Sequence, residues 1–411
     1  MIITRRSILK SSIAASAALA SPALLTRFAY GADDPILVGS LHDQSGPLAA
    51  TGVPMVDSLD LAIQELNAAG GLLGRPLKLI HYDTQSNIQM YSQYAQQLAV
   101  KDKVAVVHGG ITSASREAIR PTFDRFGTLY FYNTLYEGGV CDRNIFCTGT
   151  TPAQTVEKLV PYAMGKSGKK AYVIAADYNY GQITAKWMTK YLRDSGGEAL
   201  SIDFFPLDVT NFGPTISKIQ AAKPDLILSA LVGGNHTAFY RQWTSAGMKG
   251  QIPIASTTFG LVNEPSTLDA KESEGVLGAY GYFEELTSPA SSDYVAKLKK
   301  MKPDIPYISE LAAATYEGFY LWAEGVKKAG SLDRMAIIEA LESGISFDGP
   351  SGKVTIDHAT HHVTRNAFLA EVKDRKWSVL ESFPDAKPLD TAGVCDLIKN
   401  PSDNQQYVID I

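Results

Sequence analysis

The stretch that decides the fold is residues 108–139, HGGITSASREAIRPTFDRFGTLYFYNTLYEGG. The apolar run 104–107 just ahead of it is typical of a buried parallel strand, and two glycines then lead to the hydroxyl-rich start of a helix at Ser113. A second apolar run, 129–132, ends in Asn-Thr134. Because ligands bind beyond the carboxyl ends of parallel strands, this pattern predicts a site for a small polar molecule.

The same alternation of strand and helix extends along most of the chain and predicts two α/β lobes. Each lobe is expected to be a doubly wound, mostly parallel sheet with helices on both faces. Three later helices, at 292–301, 309–329 and 333–343, have no strands between them and are expected to pack back on the first lobe. Residues 347–383 alternate with period 2, which predicts a small antiparallel set.

The chain is therefore expected to cross between the lobes near residues 150, 282 and 346. The predicted division is residues 35–150 plus 283–346 for the first lobe, 151–282 plus 347–395 for the second, and 396–411 for a C-terminal tail.

The N-terminus has the features of an export signal. Arg5 and Arg6 precede a weakly apolar run rich in Ala and Ser at 12–25, which is too short to span a membrane. Residues 1–31 are therefore predicted to be a twin-arginine signal peptide, which places the protein in the periplasm. Losing four basic residues and no acidic one leaves 34 basic and 43 acidic residues, net −9, which argues against nucleic acid or an anionic membrane as partner.

Three cysteines remain in the mature chain. Cys141 and Cys147 lie close in sequence in an oxidising compartment, so a disulfide between them is expected, with two free thiols as the alternative. This prediction leaves Cys395 unpaired and without an assigned role.

The chain has none of the common sequence motifs of serine hydrolases, dinucleotide sites, phosphate-binding loops or thiol redox sites. His358, His361 and His362 form the only histidine cluster, and no acidic ligand lies nearby, so a solvated turn is expected rather than a metal site. Neither a cofactor nor a metal is predicted.

Polar candidates follow the strands of both lobes. Tyr132, Tyr136, Tyr178 and Tyr180 are each either half-buried rim residues or ligand contacts. Ser113 is expected both to cap its helix and to serve the ligand. Asp177 suits either a cation or a helix cap, and the sequence leaves both open.

Several motifs resemble those of a known family. Residues 67–77, NAAGGLLGRPL, resemble the motif of periplasmic binding proteins of the branched-chain amino acid and amide class. Narrower motifs are similar to those of urea- and short-chain-amide-binding receptors of ABC importers and of the related amide-sensing regulators: GITSASR at 110–116, YEG at 136–138, DYNY at 177–180, GGN at 233–235 and PIAS at 253–256.

This resemblance implies a two-lobed clamshell, the type I periplasmic binding protein fold, with the ligand at the hinge. It implies ligand contacts by Ser113, Tyr132, Thr134 and Tyr178, with the strand end at Thr257 and Thr258 on the other lobe. The predicted site consists of these four residues, Tyr136 and Tyr180, and Thr258 from the strand end on the other lobe.

The predicted function is therefore to capture urea or a short-chain amide and deliver it to the membrane subunits of an ABC importer. The protein is expected to be a monomer and not an enzyme. One alternative is an amino-acid receptor of the same fold, in which Asp177 would hold the ammonium group. The other is an exported amide hydrolase, which needs a nucleophile with a positioned base.

Export is expected to depend on the arginine pair. Replacing Arg5 and Arg6 with Lys should leave precursor in the cytoplasm, because the twin-arginine route recognises the pair and not its charge. Immunoblots of periplasmic and cytoplasmic fractions measure this. Normal periplasmic levels of the Lys variant would contradict the prediction.

Overall fold

The structure of the protein, a computed structural model, describes residues 34–262 and 264–410. The predicted signal peptide, residues 1–31, lies outside these residues. Within them, no helix combines the length and the apolar character needed to cross a membrane.

The chain begins with the elements of the first lobe. These are β1 (Ile36–His42), α1 (Ala49–Ala68), β2 (Leu77–Asp83), α2 (Ile88–Gln96, continued by a π-helical turn at Gln97–Asp102), β3 (Val106–Gly109), α3 (Ser113–Phe126), β4 (Leu129–Tyr132), β5 (Val140–Asp142) and β6 (Ile145–Cys147).

The second lobe follows with a longer set of elements. These are α4 (Val156–Ser167), β7 (Lys170–Ala176), α5 (Asn179–Asp194), β8 (Glu198–Phe205), α6 (Gly213–Ala222), β9 (Leu226–Ala230), α7 (Gly234–Ser245), β10 (Ile254–Ser256), α8 (Glu264–Thr267), α9 (Ala270–Ser273) and β11 (Leu277–Tyr280).

The remaining elements complete both lobes. These are α10 (Pro289–Met301), α11 (Glu310–Ala329), α12 (Arg334–Glu342), β12 (Ser346–Gly349), β13 (Gly352–Ile356), β14 (Val363–Lys373), β15 (Lys376–Ala386), α13 (Leu389–Ala392) and β16 (Asn404–Gln406).

The first lobe is built on a parallel sheet of order β2-β1-β3-β4-β6. Its strands carry apolar residues on both faces, as a sheet covered by helices on both sides requires. Val106 packs with α1 and α11 on one face, whereas Val107 packs with α2 and α3 on the other. As expected, α10, α11 and α12 pack back on this lobe, through Leu298, Trp322 and Leu341.

The second lobe is built on the parallel strands β11-β10-β9-β7-β8, to which β14 and β15 add an antiparallel edge. These observations confirm the predicted two-lobed α/β architecture. The structure differs at one boundary, because Val354, Ile356 and Val363 pack in the hydrophobic core of the first lobe. The hairpin of β12 and β13 therefore packs with the first lobe, and the predicted assignment of residues 347–395 to the second lobe is wrong for this hairpin.

The third crossing between the lobes consequently lies within β14 and not near residue 346. At this crossing the buried guanidinium of Arg365 donates to the carbonyl of Thr148 (2.8 Å), in the first crossing, and to that of Gly281 (3.5 Å), in the second. It also forms an ion pair with the buried Glu317 of α11, at 3.0 Å. A side chain at Gly281 would place Cβ 2.6 Å from Arg365 Nε, so only glycine allows this approach.

The cysteine pairing differs from the prediction. Cys141 is bonded to Cys395, and Cys147 is free and buried. Cys141 lies on β5, against which the C-terminal segment packs, whereas Cys147 ends β6 and faces the core beneath α2 and α3. The expected disulfide between Cys141 and Cys147 is therefore wrong, because the two residues lie on different strands and point to different cores.

The last residues are part of the fold and not a loose tail. The strand β16 pairs with β5 in antiparallel register, and Tyr407 N donates to the carbonyl of Gly139 at 2.7 Å. Arg120 Nη1 donates to the carbonyl of Asn404 at 2.6 Å. Residues 396–407 thus extend the first lobe.

The observed pairing predicts which thiols react. Cys395→Ser should release two free cysteines, Cys141 and Cys147, and lower the free energy of unfolding by about 2–4 kcal/mol, because the bond closes a loop of 254 residues. Thiol counting under denaturing conditions and denaturant unfolding measure the two effects. Cys147→Ser is the control and should expose no free thiol, whereas a peptide linking Cys141 to Cys147 would contradict the assignment.

Candidate functional site

A cleft with about 500 Å³ of empty space, which includes space open to solvent, lies between the two lobes at the carboxyl ends of their strands. Six of the seven predicted ligand-binding residues line it: Ser113, Tyr132, Thr134, Tyr178, Tyr180 and Thr258. The other lining residues are Leu48, Thr51, Ile111, Thr112, Leu135, Val232, Gly233, Leu261, Val262, Glu264 and Leu311. The cleft therefore combines hydroxyl groups with a mainly aliphatic wall, as small-molecule sites commonly do.

The turn from β3 to α3 presents Ser113 to this cleft. Gly110 adopts a φ of +79° there, a left-handed conformation that favours glycine. Thr112 caps the helix, because its Oγ1 accepts from Ser115 N at 3.0 Å while Ser115 Oγ accepts from Thr112 N at 3.1 Å. The expectation that Ser113 caps the helix is therefore wrong, and its hydroxyl is available for another role.

The hydroxyl of Ser113 is bonded to a buried carboxylate. Its Oγ donates to Glu137 Oε2 at 2.5 Å, and the other oxygen of Glu137 accepts from Arg116 Nη2 at 3.0 Å. Glu137 and Arg116 are fully buried, and the Arg116 guanidinium also lies over the rings of Tyr132 and Tyr136. This network fixes the position of Ser113 from behind the cleft.

Two further hydroxyls of the first lobe, those of Tyr132 and Thr134, also donate to protein groups. Tyr132 Oη donates to the carbonyl of Ile111 at 3.0 Å, and Thr134 Oγ1 donates to that of Gly110 at 3.2 Å. A hydroxyl has one proton and two lone pairs, so a group that has donated can only accept from a ligand.

The second lobe repeats this arrangement. Thr258 Oγ1 donates to the carbonyl of Leu231 at 2.5 Å and lies 3.2 Å from His236 Nε2. Burial lowers the pKa of His236 to about 3, so its ring is neutral at physiological pH. Tyr180 Oη lies 2.8 Å from Thr257 Oγ1, which itself donates toward the carbonyl of Ser229 at 3.4 Å, so Tyr180 is the donor of that pair.

Two hydroxyls of the cleft, those of Thr51 and Tyr178, make no hydrogen bond within residues 34–262 and 264–410. Burial raises the pKa of Tyr178 well above its ordinary value, so the phenol keeps its proton and can donate it. The cleft thus offers several acceptors and few side-chain donors.

Sequence reasoning missed Glu264, a carboxylate at the edge of the cleft. It is buried, and its Oε2 accepts from Gly260 N at 2.8 Å and from Val262 N at 3.2 Å. It belongs to the one-turn helix α8, and no local pattern marks such a position as a site.

Two candidates lie outside the cleft lining. Tyr136 is buried behind it, where its hydroxyl bonds to His362 Nε2. Asp177 is exposed and accepts from Gln182 Nε2 at 2.9 Å. Neither Tyr136 nor Asp177 therefore lines the cleft, although the ring of Tyr136 packs edge-on against that of Tyr132, with 5.7 Å between the ring centroids.

The histidine cluster is not the solvated turn that was expected. His361 and His362 are each only 1% exposed, and burial lowers the pKa of His362 to about 4. His361 Nε2 bonds to Glu342 Oε1 at 3.1 Å, so the pair ties the turn before β14 to the end of α12. Across the described part of the chain, no group of three or more His, Cys, Asp or Glu residues could hold a metal ion.

Comparison with known proteins agrees with this architecture. The chain is 26% identical over 391 residues to Leu/Ile/Val-binding protein homolog 7 of Brucella suis, a match that covers 90% of this chain and 96% of the relative. It is 25% identical to a solute-binding protein of an ABC transporter from R. palustris in complex with 4-hydroxybenzoate, with a TM-score of 0.79, covering 88% of this chain and 99% of the other.

The fold is also that of a more distant protein. The leucine-binding protein LivK from Thermotoga maritima superposes with a TM-score of 0.74 at 18% identity, covering 85% of this chain and 99% of the other. The sequence profile of the family described as periplasmic binding protein matches residues 35–376, which include both lobes and the whole cleft. The chain belongs to the periplasmic binding protein family.

Proposed function

We propose that this protein is the periplasmic receptor of an ABC importer for a small neutral solute with several N–H groups and one carbonyl, namely urea or a short-chain aliphatic amide. The observation that carries the proposal is the direction of the hydrogen bonds around the cleft. Ser113, Tyr132, Thr134, Tyr180 and Thr258 all give their protons to protein groups, which leaves lone pairs for the ligand.

A ligand with N–H groups complements such a surface. Urea offers four N–H bonds and a primary amide offers two, and both carry one carbonyl oxygen that the Tyr178 hydroxyl can reach as a donor. A carboxylate ligand has acceptors only, and these would meet the lone pairs of the same hydroxyls. Because an unsatisfied buried polar group costs roughly 1–3 kcal/mol, this mismatch favours an amide over a carboxylate at these hydroxyls.

The aliphatic wall refines the choice. Leu48, Ile111, Leu135, Val232 and Leu261 leave room for a short apolar chain beside the polar end. An amide with a small alkyl group would cover this wall and remove it from water, which contributes about 25 cal/mol per Å² of apolar surface.

A branched-chain amino acid is the second candidate. It is favoured by the Leu/Ile/Val-binding names of the relatives and by the Glu264 carboxylate, which could hold an ammonium group. The first N–H groups of α3 have no partner within the helix and could hold the carboxylate. Asp177, to which the sequence analysis gave this role, is not among the lining residues, and its carboxylate accepts from Gln182 Nε2.

A ligand screen tests the proposal. Acetamide, formamide or urea should raise the melting temperature of the mature protein, because a ligand that binds only the folded state adds about 2.7 kcal/mol at 100 times its Kd. Leucine, isoleucine, valine and 4-hydroxybenzoate are the comparison set. Stabilisation by that set alone would contradict the proposal, and mass analysis of the recovered ligand would reveal any hydrolysis.

Two substitutions test the site itself. Ser113→Ala or Thr134→Val should weaken binding of the best ligand about 5- to 150-fold, because each removes one partner of a buried hydrogen bond worth roughly 1–3 kcal/mol. Calorimetric titration measures the effect. Asp177→Asn, outside the lining, is the control and should bind like the parent. Affinities within twofold of the parent for both test variants would mean that the ligand binds elsewhere.

A further inference from the structure

We propose that Glu137, which does not line the cleft, determines ligand preference by fixing Ser113 as a hydrogen-bond acceptor. Ser113 is the cleft hydroxyl whose partner is a charged side chain, whereas Tyr132, Thr134 and Thr258 donate to backbone carbonyls. A backbone carbonyl cannot be changed by substitution, but a side chain can. The preference of the site for N–H groups is therefore adjustable at this position, through a charged side chain.

Both oxygens of the Glu137 carboxylate accept hydrogen bonds from protein donors. Its Oε1 accepts from Arg116 Nη2 at 3.0 Å and from Gln406 Nε2 at 2.5 Å, and its Oε2 accepts from Ser113 Oγ. Arg116 is fully buried and also bonds to Glu117 at 2.8 Å, which holds the guanidinium in place. An ionised carboxylate has no proton to give, so the proton between Ser113 and Glu137 belongs to Ser113.

Replacing the carboxylate with an amide should reverse this direction. In Glu137→Gln, the side-chain oxygen is held by the two donors Arg116 and Gln406, which places the NH₂ group opposite Ser113. Ser113 then accepts from that NH₂ group, and its own proton is free to point into the cleft. The hydroxyl changes from an acceptor to a donor for the ligand, with almost no change in the shape of the site.

This inference rests on the proposed function only for the identity of the natural ligand. The direction in which Glu137→Gln shifts the ratio of amide to carboxylate affinity does not depend on that identity. Acetamide and acetate form a matched pair, because they differ only in an NH₂ group against an oxygen. Leucinamide and leucine form an equivalent pair if the amino-acid candidate is correct. In either pair, Glu137→Gln should shift the ratio of affinities toward the carboxylate.

The experiment is calorimetric titration of the mature parent, Glu137→Gln, Ser113→Ala and the double variant with both pairs. Glu137→Gln should weaken binding of the amide about tenfold and favour the carboxylate by a comparable factor. In the Ser113→Ala background, Glu137→Gln should change neither affinity more than twofold, because its effect acts through Ser113. Equal weakening of amide and carboxylate, or an undiminished effect without Ser113, would overturn the inference.

The two proposals fail in different ways. If the parent binds leucine but neither acetamide nor urea, the proposed function is wrong, and the leucinamide and leucine pair still tests Glu137. If the parent binds acetamide but Glu137→Gln leaves the ratio unchanged, the function stands and the role of Glu137 is wrong.

A second measurement covers the case in which Glu137→Gln does not fold, judged by its melting temperature without ligand. In the protein with Glu137 unchanged, Ser113→Ala should weaken the binding of acetamide about tenfold. The affinity for N,N-dimethylacetamide, which has no N–H group, should stay within twofold of the parent value. If Ser113 were a donor to the shared carbonyl, both ligands would weaken alike, and that result would overturn the inference.

Discussion

The ion pair of Arg365 with Glu317 is the interaction on which the two-lobed arrangement depends. It lies where the three crossings between the lobes come together, and the same guanidinium bonds to the carbonyls of Thr148 and Gly281. Burying a charge is costly unless it is paired, and removing one partner of a buried pair costs about 3–5 kcal/mol. A pair in this position therefore supports the geometry of the hinge much more than it adds net stability to either lobe.

A second buried carboxylate completes the hinge. Glu310, at the start of α11, accepts from Thr150 N at 3.1 Å through one oxygen and from Gly281 N at 3.0 Å through the other. The first two crossings are thus held to the same helix of the first lobe. Hinge closure in this class of fold needs a few residues that absorb the rotation while the rest moves rigidly. Glu310 and Arg365 therefore restrain the crossings on the side of the first lobe.

The sequence predicted the architecture well because alternating strands and helices leave few topologies open, and parallel strands place their carboxyl ends at one edge. That rule, together with the family resemblance, also predicted six of the residues around the cleft, including Ser113 and Thr134. It could not predict that Cys141 pairs with Cys395, because the partner depends on where the last residues pack. Nor could a period-2 pattern show which core the β12–β13 hairpin joins, and Glu264 lies in a one-turn helix with no periodic signal.

The hydrogen bonds that orient the cleft hydroxyls are all made within a lobe. Ser113 donates to Glu137 within the first lobe, and Thr258 donates to Leu231 within the second. These bonds do not depend on contact between the lobes, so the acceptor surface exists before the cleft closes. Contact between the lobes adds a bond of another kind, from Trp187 Nε1 on α5 to the carbonyl of Glu137 at 3.0 Å. The residue that orients Ser113 is therefore also bonded to the opposite lobe, so Glu137 takes part both in the ligand site and in the contact between the lobes.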